Sequence, residues 1–156
     1  MKVGVSGHRD REGADWDWVR AEMEAVLERV DCTSGASCLA PGADMIFAEI
    51  ILTLGRELTV MTPVAPSAAA AGCNEKEDAL IAAASKVRRI AGANADEAFF
   101  NAGKAVVDDS DLMIFVWDGG PSRGLGGTAD IVAYARECNR RAVILDPLAR
   151  TVRDLA

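Results

Sequence analysis

The chain contains few of the residues that bind metals or act as catalytic nucleophiles. It contains a single histidine, His8, and none of its four cysteines forms a CxxC pair. Zinc sites need several closely spaced cysteine and histidine ligands, so we expect no metal. One histidine in the first loop also provides no Ser-His-Asp or Cys-His catalytic arrangement. The cysteines are expected to be free thiols of a cytoplasmic protein, and they are Cys32, Cys38, Cys73 and Cys138.

Long apolar stretches and excess positive charge are also missing. The apolar runs are far too short to span a bilayer, so no membrane segment is predicted. The N-terminus, MKVGVSGH, lacks the long apolar region and the small-residue cleavage site of a signal peptide, and its pattern is that of a strand. The net charge of −7 argues against non-specific nucleic-acid binding, because phosphate backbones require clustered lysine and arginine.

Apolar runs of strand length alternate with helical patterns along the whole chain. With 156 residues, half of them apolar, the sequence predicts one domain over residues 1–156 with a core large enough to be stable. The alternation favours an α/β fold, a three-layer Rossmann-like parallel sheet with helices on both faces.

Several boundaries follow from local signals. The second strand is placed at Ser37–Ala40 and the third at Leu58–Thr62, where Pro63 ends it. The alanine-rich segment Val64–Asn74 is predicted to be a loop over one face, and Ala149–Ala156 a short polar tail. In the helix predicted from Asp96, Phe99 is expected to face the core, and Gly103 to allow close packing.

Three of the predicted strands lead directly into glycines. The apolar run Leu112–Trp117 is followed by a loop with five glycines and by a helical pattern that begins at Thr128. The other two junctions contain Gly7 and Gly42. The carboxyl ends of parallel strands lie at one edge of a sheet, where ligands of such folds bind. Bare backbone N–H groups at a helix start suit a phosphate or another anion.

The sequence therefore predicts a cradle for a nucleotide or another phosphate-bearing ligand. Arg9 can pair with a phosphate in a bidentate manner, Asp118 can accept the hydroxyls of a ribose, and the Thr128 hydroxyl can cap the helix. Asp44, in a helical first turn, is expected to be a carboxylate favoured by the helix dipole. The predicted ligand-binding residues are Gly7, His8, Arg9, Gly42, Ala43, Asp44, Trp117, Asp118, Gly119, Gly124, Gly126, Gly127 and Thr128.

Other interpretations of these residues stay open. Arg9 can instead pair with Asp10, Asp44 or Asp118 and only fix the loops. The glycines can serve tight strand–helix packing alone. The loop GLGGT has no Walker lysine, and no GxGxxG follows the first strand, so neither a P-loop nor a standard dinucleotide-binding fold is indicated.

Together these motifs resemble the SLOG superfamily, which joins the DNA-processing protein DprA (SMF) with the Lonely Guy phosphoribohydrolases. The opening VSGHR resembles a bacterial branch of this group, and APGAD is similar to the G-A-D or G-I-D turn of its DprA side. DLMIFVWDG followed by GLGGTADIVAYA is similar to the last nucleotide-binding segment of the group. The resemblance covers nearly the whole chain. It implies a modified Rossmann fold that binds nucleotides or nucleotide-derived ligands, needs no further cofactor and forms a homodimer.

One departure from the family concerns catalysis. The phosphoribohydrolases carry PGGxGTxxE, and alignment on Gly127 and Thr128 places their glutamate at Ile131. Asp130 is one residue away, turned by about 100° on a helix. The resemblance therefore implies a binding or sensing module. The alternatives are an N-glycoside hydrolase of nucleoside monophosphates, with Asp118 or Asp130 in place of the glutamate, and a scaffold subunit without a ligand.

Overall fold

Strands and helices alternate along the chain in the computed structural model, which describes residues 1–66 and 74–155. Within these ranges the elements are β1 (Lys2–Gly7), α1 (Trp16–Arg29), β2 (Ser34–Ser37), α2 (Ala43–Thr53), β3 (Glu57–Val64), α3 (Glu75–Ala83), β4 (Lys86–Ala91), α4 (Ala95–Asp109), β5 (Leu112–Val116), α5 (Thr128–Glu137), β6 (Arg141–Asp146) and β7 (Thr151–Asp154).

The described strands form one sheet in the order β4-β3-β2-β1-β5-β6-β7. All neighbours are parallel except β6 and β7, which are antiparallel. The chain steps outward from β1 to β4 and then returns to β5 on the other side of β1. The strand order therefore reverses between β1 and β5, which is where ligands bind in open α/β sheets.

Helices cover both faces of the sheet. The buried side chains of α1, α2 and α3 pack in one core cluster, and those of α4 and α5 pack in a second cluster on the opposite face. All five residues of β5 are buried. A strand covered on both faces has no polar side, which explains its continuous apolar sequence. The predicted three-layer α/β architecture is confirmed, with one antiparallel strand added.

The second strand begins earlier than its prediction. It is Ser34–Ser37, not Ser37–Ala40, and Leu39 already has a positive φ of 58°. Large side chains are excluded from this strand because α2 packs directly on it. A Cβ at Gly35 would lie 2.6 Å from the side chain of Ile51. The absence of large apolar side chains is why the sequence pattern misplaced the strand.

The third strand continues through its proline. It is Glu57–Val64 rather than Leu58–Thr62, so the prediction that Pro63 ends it is wrong. In the register, β2 pairs with β3 only as far as Val60, whereas β4 pairs with it to its last residue. Beyond Val60 the described residues therefore place no strand on this side of β3 that needs a hydrogen-bond donor, and proline is tolerated there. Most of the predicted loop Val64–Asn74 lies outside the described residues.

The predicted polar tail Ala149–Ala156 contains a strand. Thr151–Asp154 pairs with β6 after a turn in which the Asp146 carboxylate accepts the N–H groups of Leu148 and Ala149. All four strand residues are exposed, so no apolar alternation marked them. The strand forms because the turn directs the chain back along the edge of β6. Apolar periodicity within the segment cannot predict such a pairing. Among the described residues, no helix is both long and apolar enough to cross a membrane.

Candidate functional site

A cavity of about 810 Å³ lies outside the carboxyl ends of β1 and β5. Its wall is built by the segments that follow β1, β2 and β5, by the first half of α4 and by the start of α5. The predicted site residues that line it are Gly7, His8, Arg9, Asp44, Trp117, Asp118, Gly124, Gly126, Gly127 and Thr128. Gly42, Ala43 and Gly119 are not part of its wall. The structure thus brings together most of the residues that the three glycine junctions predicted.

Gly42 and Ala43 hold the loop after β1 instead of lining the cavity. Gly42 has a φ of 88°, and a Cβ there would lie 2.2 Å from the carbonyl oxygen of Arg9. The Ala43 N–H donates to the carbonyl oxygen of His8 at 3.2 Å. Only glycine permits this approach of two backbones. The APGAD turn therefore positions His8 and Arg9 at the cavity.

Asp118 is engaged within the protein. Its Oδ2 accepts a hydrogen bond from Arg11 Nε at 2.7 Å, and its Oδ1 accepts the Gly120 N–H at 2.9 Å. Burial tends to raise the pKa of Asp118, but the Gly120 N–H, the Arg11 guanidinium and His8 outweigh it and lower the pKa to about 2. The ion pair considered for Arg9 is thus made by Arg11, and the loops after β1 and β5 are tied together.

The ring of His8 points to the same carboxylate. His8 Nε2 lies 3.1 Å from the Asp118 backbone nitrogen and 3.2 Å from its Oδ1. An unprotonated Nε2 accepts the backbone N–H, whereas a protonated one donates to the carboxylate. In either state His8 is held against β5 at the point where the strand order reverses.

Arg9 presents its charge to the cavity. Its guanidinium carbon lies 4.5 Å from the centroid of the Phe99 ring, a cation–π distance. Both residues line the cavity, and Arg9 has no ion-pair partner in the described ranges. The prediction that Phe99 faces the core is wrong, because Phe99 belongs to neither core cluster and its ring packs under Arg9 at the cavity wall.

Asp44 is a buried acid on the cavity wall. It is 5% exposed, and its Oδ2 accepts the Ala40 N–H at 3.3 Å. Burial raises the pKa of Asp44 to about 7, against the opposing effects of this N–H and of Arg9. The prediction of an ordinary dipole-stabilised carboxylate is therefore wrong. Burial, followed by the charge of Asp44, also raises the pKa of the neighbouring Cys38 thiol.

The amino end of α5 is open toward the cavity. Gly127 precedes the helix and Thr128 is its first residue, and no side chain caps it, so the predicted Thr128 cap is wrong. The N–H groups of Thr128 and Ala129 find no acceptor in the described part of the chain. The Gly126 N–H, by contrast, donates to Asp130 Oδ2 at 2.9 Å. One N–H of the predicted cradle is thus occupied by the protein itself.

The position of the family glutamate belongs to the core. Ile131 is 1% exposed, and it packs so closely on α4 that a Cβ at Gly103 would lie 2.5 Å from its Cδ1. This confirms the prediction that Gly103 allows close packing. Asp130 is held by Gly126, and its own N–H donates to Ser122 Oγ. Neither Asp118 nor Asp130 therefore presents an unengaged carboxylate.

Several cavity residues were not predicted. Arg11, Ser122 and Arg123 lie in the two loops that face one another across the cavity. Arg11 and Asp118 are 107 positions apart, so their pairing leaves no local signal. Arg123 lies in the glycine-rich loop, and a positive charge in that loop is the sequence signal that could have marked it as a cavity residue. In the described ranges no group of three or more His, Cys, Asp or Glu side chains is arranged to hold a metal ion.

Comparison with known proteins gives structural matches only. No protein-family model matches the chain, and no curated protein matches it. DNA processing protein A from Helicobacter pylori superposes with a TM-score of 0.66 at 15% identity, over 94% of this chain and 65% of that one. DprA from Streptococcus pneumoniae gives 0.63 at 16% identity, over 95% and 53%. The molybdenum cofactor carrier protein from Chlamydomonas reinhardtii gives 0.58 at 16% identity, over 95% and 79%.

The chain shares the fold of these proteins. The DprA matches confirm the resemblance that the motifs indicated, at the level of the fold. The chain spans about two thirds or less of the two DprA proteins. At these identities the matches establish architecture, so function must be argued from the cavity.

Proposed function

We propose that this chain binds a nucleotide or a nucleotide-derived ligand in the cavity between β1 and β5. The observation that carries the proposal is that an open helix start and a cation with no ion-pair partner in the described ranges line the same cavity. Thr128 and Ala129 offer backbone N–H groups, and Arg9 offers a guanidinium. Helix N-termini and arginines are the two common phosphate-binding elements of proteins.

The rest of the cavity suits the organic part of such a ligand. A volume of about 810 Å³ lies within the range of small-molecule sites. Arg9 stacked on Phe99 forms a flat cationic surface, and nucleobases stack on arginine planes and aromatic rings. In this proposal the phosphate binds at the start of α5, and Arg9 attracts the anionic ligand by its charge while its plane and Phe99 stack with the base.

The structural matches suggest which ligands to include in a test. One matched protein is described by its single-stranded DNA binding and another as a carrier of the molybdenum cofactor. With a net charge of −7, this chain is poorly suited to a long polyanion, so we favour a free nucleotide over DNA.

Hydrolysis of the ligand has less support than binding. The buried Ile131 replaces the family glutamate, and the two candidate acids are bonded to neighbouring groups. We therefore propose a binding module that leaves the N-glycosidic bond intact. Incubation with nucleoside monophosphates should release no free base above the rate seen without protein.

A thermal-shift screen backed by native mass spectrometry tests the proposal. The panel contains nucleoside monophosphates, cyclic nucleotides, NAD, ADP-ribose, the molybdenum cofactor and a ten-residue oligothymidylate. A bound ligand at about 100 times its Kd stabilises the protein by about 2.7 kcal/mol, a visible shift in Tm. Arg9→Ala should abolish the shift, and Arg136→Ala, which removes an exposed arginine outside the cavity, should not. A panel in which no nucleotide raises Tm contradicts the proposal.

A further inference from the structure

The strand β4 is the edge of the sheet farthest from β7, and it is unusually exposed. It pairs with β3 on one side, and the described residues place no strand on its other side. Four consecutive residues, 86–89, are exposed, and Val87 keeps 43% of its surface accessible. The carbonyl oxygen of its last residue, Ala91, accepts the Asn101 side-chain N–H at 3.0 Å, and the rest of this six-residue edge is a template for another extended segment.

Positive charge is concentrated on this edge. Lys86, Arg88 and Arg89 all lie on β4, although the chain as a whole carries a net charge of −7. None of the three forms an ion pair or a ring contact in the described ranges. Because side chains alternate along a strand, Lys86 and Arg88 lie on one face of the sheet and Arg89 on the other.

A second copy of this chain does not suit the edge. Opposite residues of an antiparallel pair share a face of the sheet, so a two-fold pairing centred on β4 places Arg88 opposite Arg88, or Arg89 opposite Arg89, of the other copy. Like charges opposite one another on neighbouring strands are destabilising. The occupant must therefore carry the opposite charge.

We propose that β4 is a docking edge for an acidic, extended segment of another protein, which adds to the sheet as a further strand. Strand addition gives affinity through main-chain hydrogen bonds, and alternate side chains give specificity. Acidic side chains on one face of the added strand meet Lys86 and Arg88, and apolar side chains on the other face meet Val87 and the aliphatic part of Arg89. The edge lies three strands from β1, so this surface is separate from the nucleotide cavity.

Fluorescence anisotropy with a labelled ten-residue peptide of alternating Glu and Val tests the docking. The peptide should bind the wild-type protein, and the double variant Arg88→Glu, Arg89→Glu should weaken binding by at least about tenfold, because juxtaposed like charges oppose association. Arg136→Glu, which alters an exposed arginine of α5, should leave binding unchanged. Equal Tm values show that the variants are folded, and binding unaffected by the β4 charges overturns the proposal.

A second pair of probes separates strand addition from simple charge attraction. A peptide with proline in place of every valine keeps its charge and loses half of its N–H donors, so it should bind at least about tenfold more weakly. Equal binding of the two peptides overturns strand addition. An oligothymidylate that binds β4 more tightly than the Glu-Val peptide overturns the choice of partner, as does the absence of peptide binding at millimolar concentration.

Discussion

Asp44 and Asp118 show at the scale of single residues how location decides chemistry. Both are acids that follow a strand at the same sheet edge, and both line one cavity. Burial dominates at Asp44 and raises its pKa to about 7, whereas the Gly120 N–H and Arg11 outweigh burial at Asp118 and lower its pKa to about 2. Two residues that look equivalent in sequence therefore affect stability in opposite directions as pH changes.

Asp44→Asn should remove a pH dependence of stability. The folded-state pKa of about 7 lies above the ordinary value of 3.8, so the folded state retains a proton that the unfolded state loses. The free energy of unfolding contributed by Asp44 then falls as pH rises from about 4 to about 7, by roughly 4 kcal/mol in total. Urea unfolding at pH 5 and pH 8 should show the variant relatively more stable at pH 8. The exposed Asp17→Asn is the control, and parallel pH profiles of variant and wild type contradict the prediction.

Asp118→Asn should have the opposite profile. Its folded-state pKa of about 2 lies below 3.8, so its stabilising effect is complete above about pH 4 and is lost as pH falls through about 2. At pH 7 the variant should lose roughly 2 kcal/mol, measured by urea unfolding. A double-mutant cycle with Arg11→Met should show strong coupling between Arg11 and Asp118. Additive losses would mean that the ion pair does not hold the two loops together.

The helices α4 and α5 decide the shape of the site at the scale of elements. They pack side by side through Gly103 and Ile131, and both contribute residues to the cavity wall. This contact places the open end of α5 across from Phe99. The same contact buries Ile131, the position at which alignment with the phosphoribohydrolases places their glutamate.

Gly103→Ala should loosen this contact. The new Cβ would lie 2.5 Å from Ile131. The energy of this clash exceeds the helix-propensity gain of alanine, so we expect the free energy of unfolding, measured in urea, to fall by about 1–2 kcal/mol. Nucleotide stabilisation in the thermal-shift assay should fall as well, because α5 moves relative to α4. In an Ile131→Ala background, Gly103→Ala should lower the free energy of unfolding by much less. An equal cost in both backgrounds would rule out the proposed contact.

The whole molecule combines an acidic surface with two separate positive features. One is Arg9 in the cavity between β1 and β5, and the other is the β4 edge. Their separation by β2 and β3 means that a small ligand and a protein partner need not exclude one another. The family resemblance implies a homodimer, and the charges on β4 favour an interface elsewhere.

Sedimentation equilibrium should report a homodimer that does not depend on β4. The double variant Arg88→Glu, Arg89→Glu should keep the dissociation constant of the wild type, because paired β4 strands would place like charges together. Arg136→Glu provides a charge-reversal comparison on α5. A dimer strengthened or abolished only by the β4 substitutions would place the interface on that edge.

Local patterns determined most of the architecture. The alternating strand and helix patterns and the glycine junctions predicted the three-layer fold and the cavity edge, since these depend on periodicity and turn chemistry within short segments. Boundaries failed where a neighbouring element set them. The strand β2 lacks large side chains because α2 packs directly on it. Pro63 does not end β3 because β2 pairs with β3 only as far as Val60. The strand β7 forms because β6 offers it an edge to pair with.

The sequence by itself determined which residue types would gather at the carboxyl edge of the sheet. Only the tertiary structure decided what each of them does there. Arg11, not Arg9, pairs with Asp118, and burial raises the pKa of Asp44. Phe99, which was expected in the core, lines the cavity under Arg9. The physical reason is that pairing, burial and stacking join residues as far apart as 107 positions, and such distances are set by the packing of the whole chain.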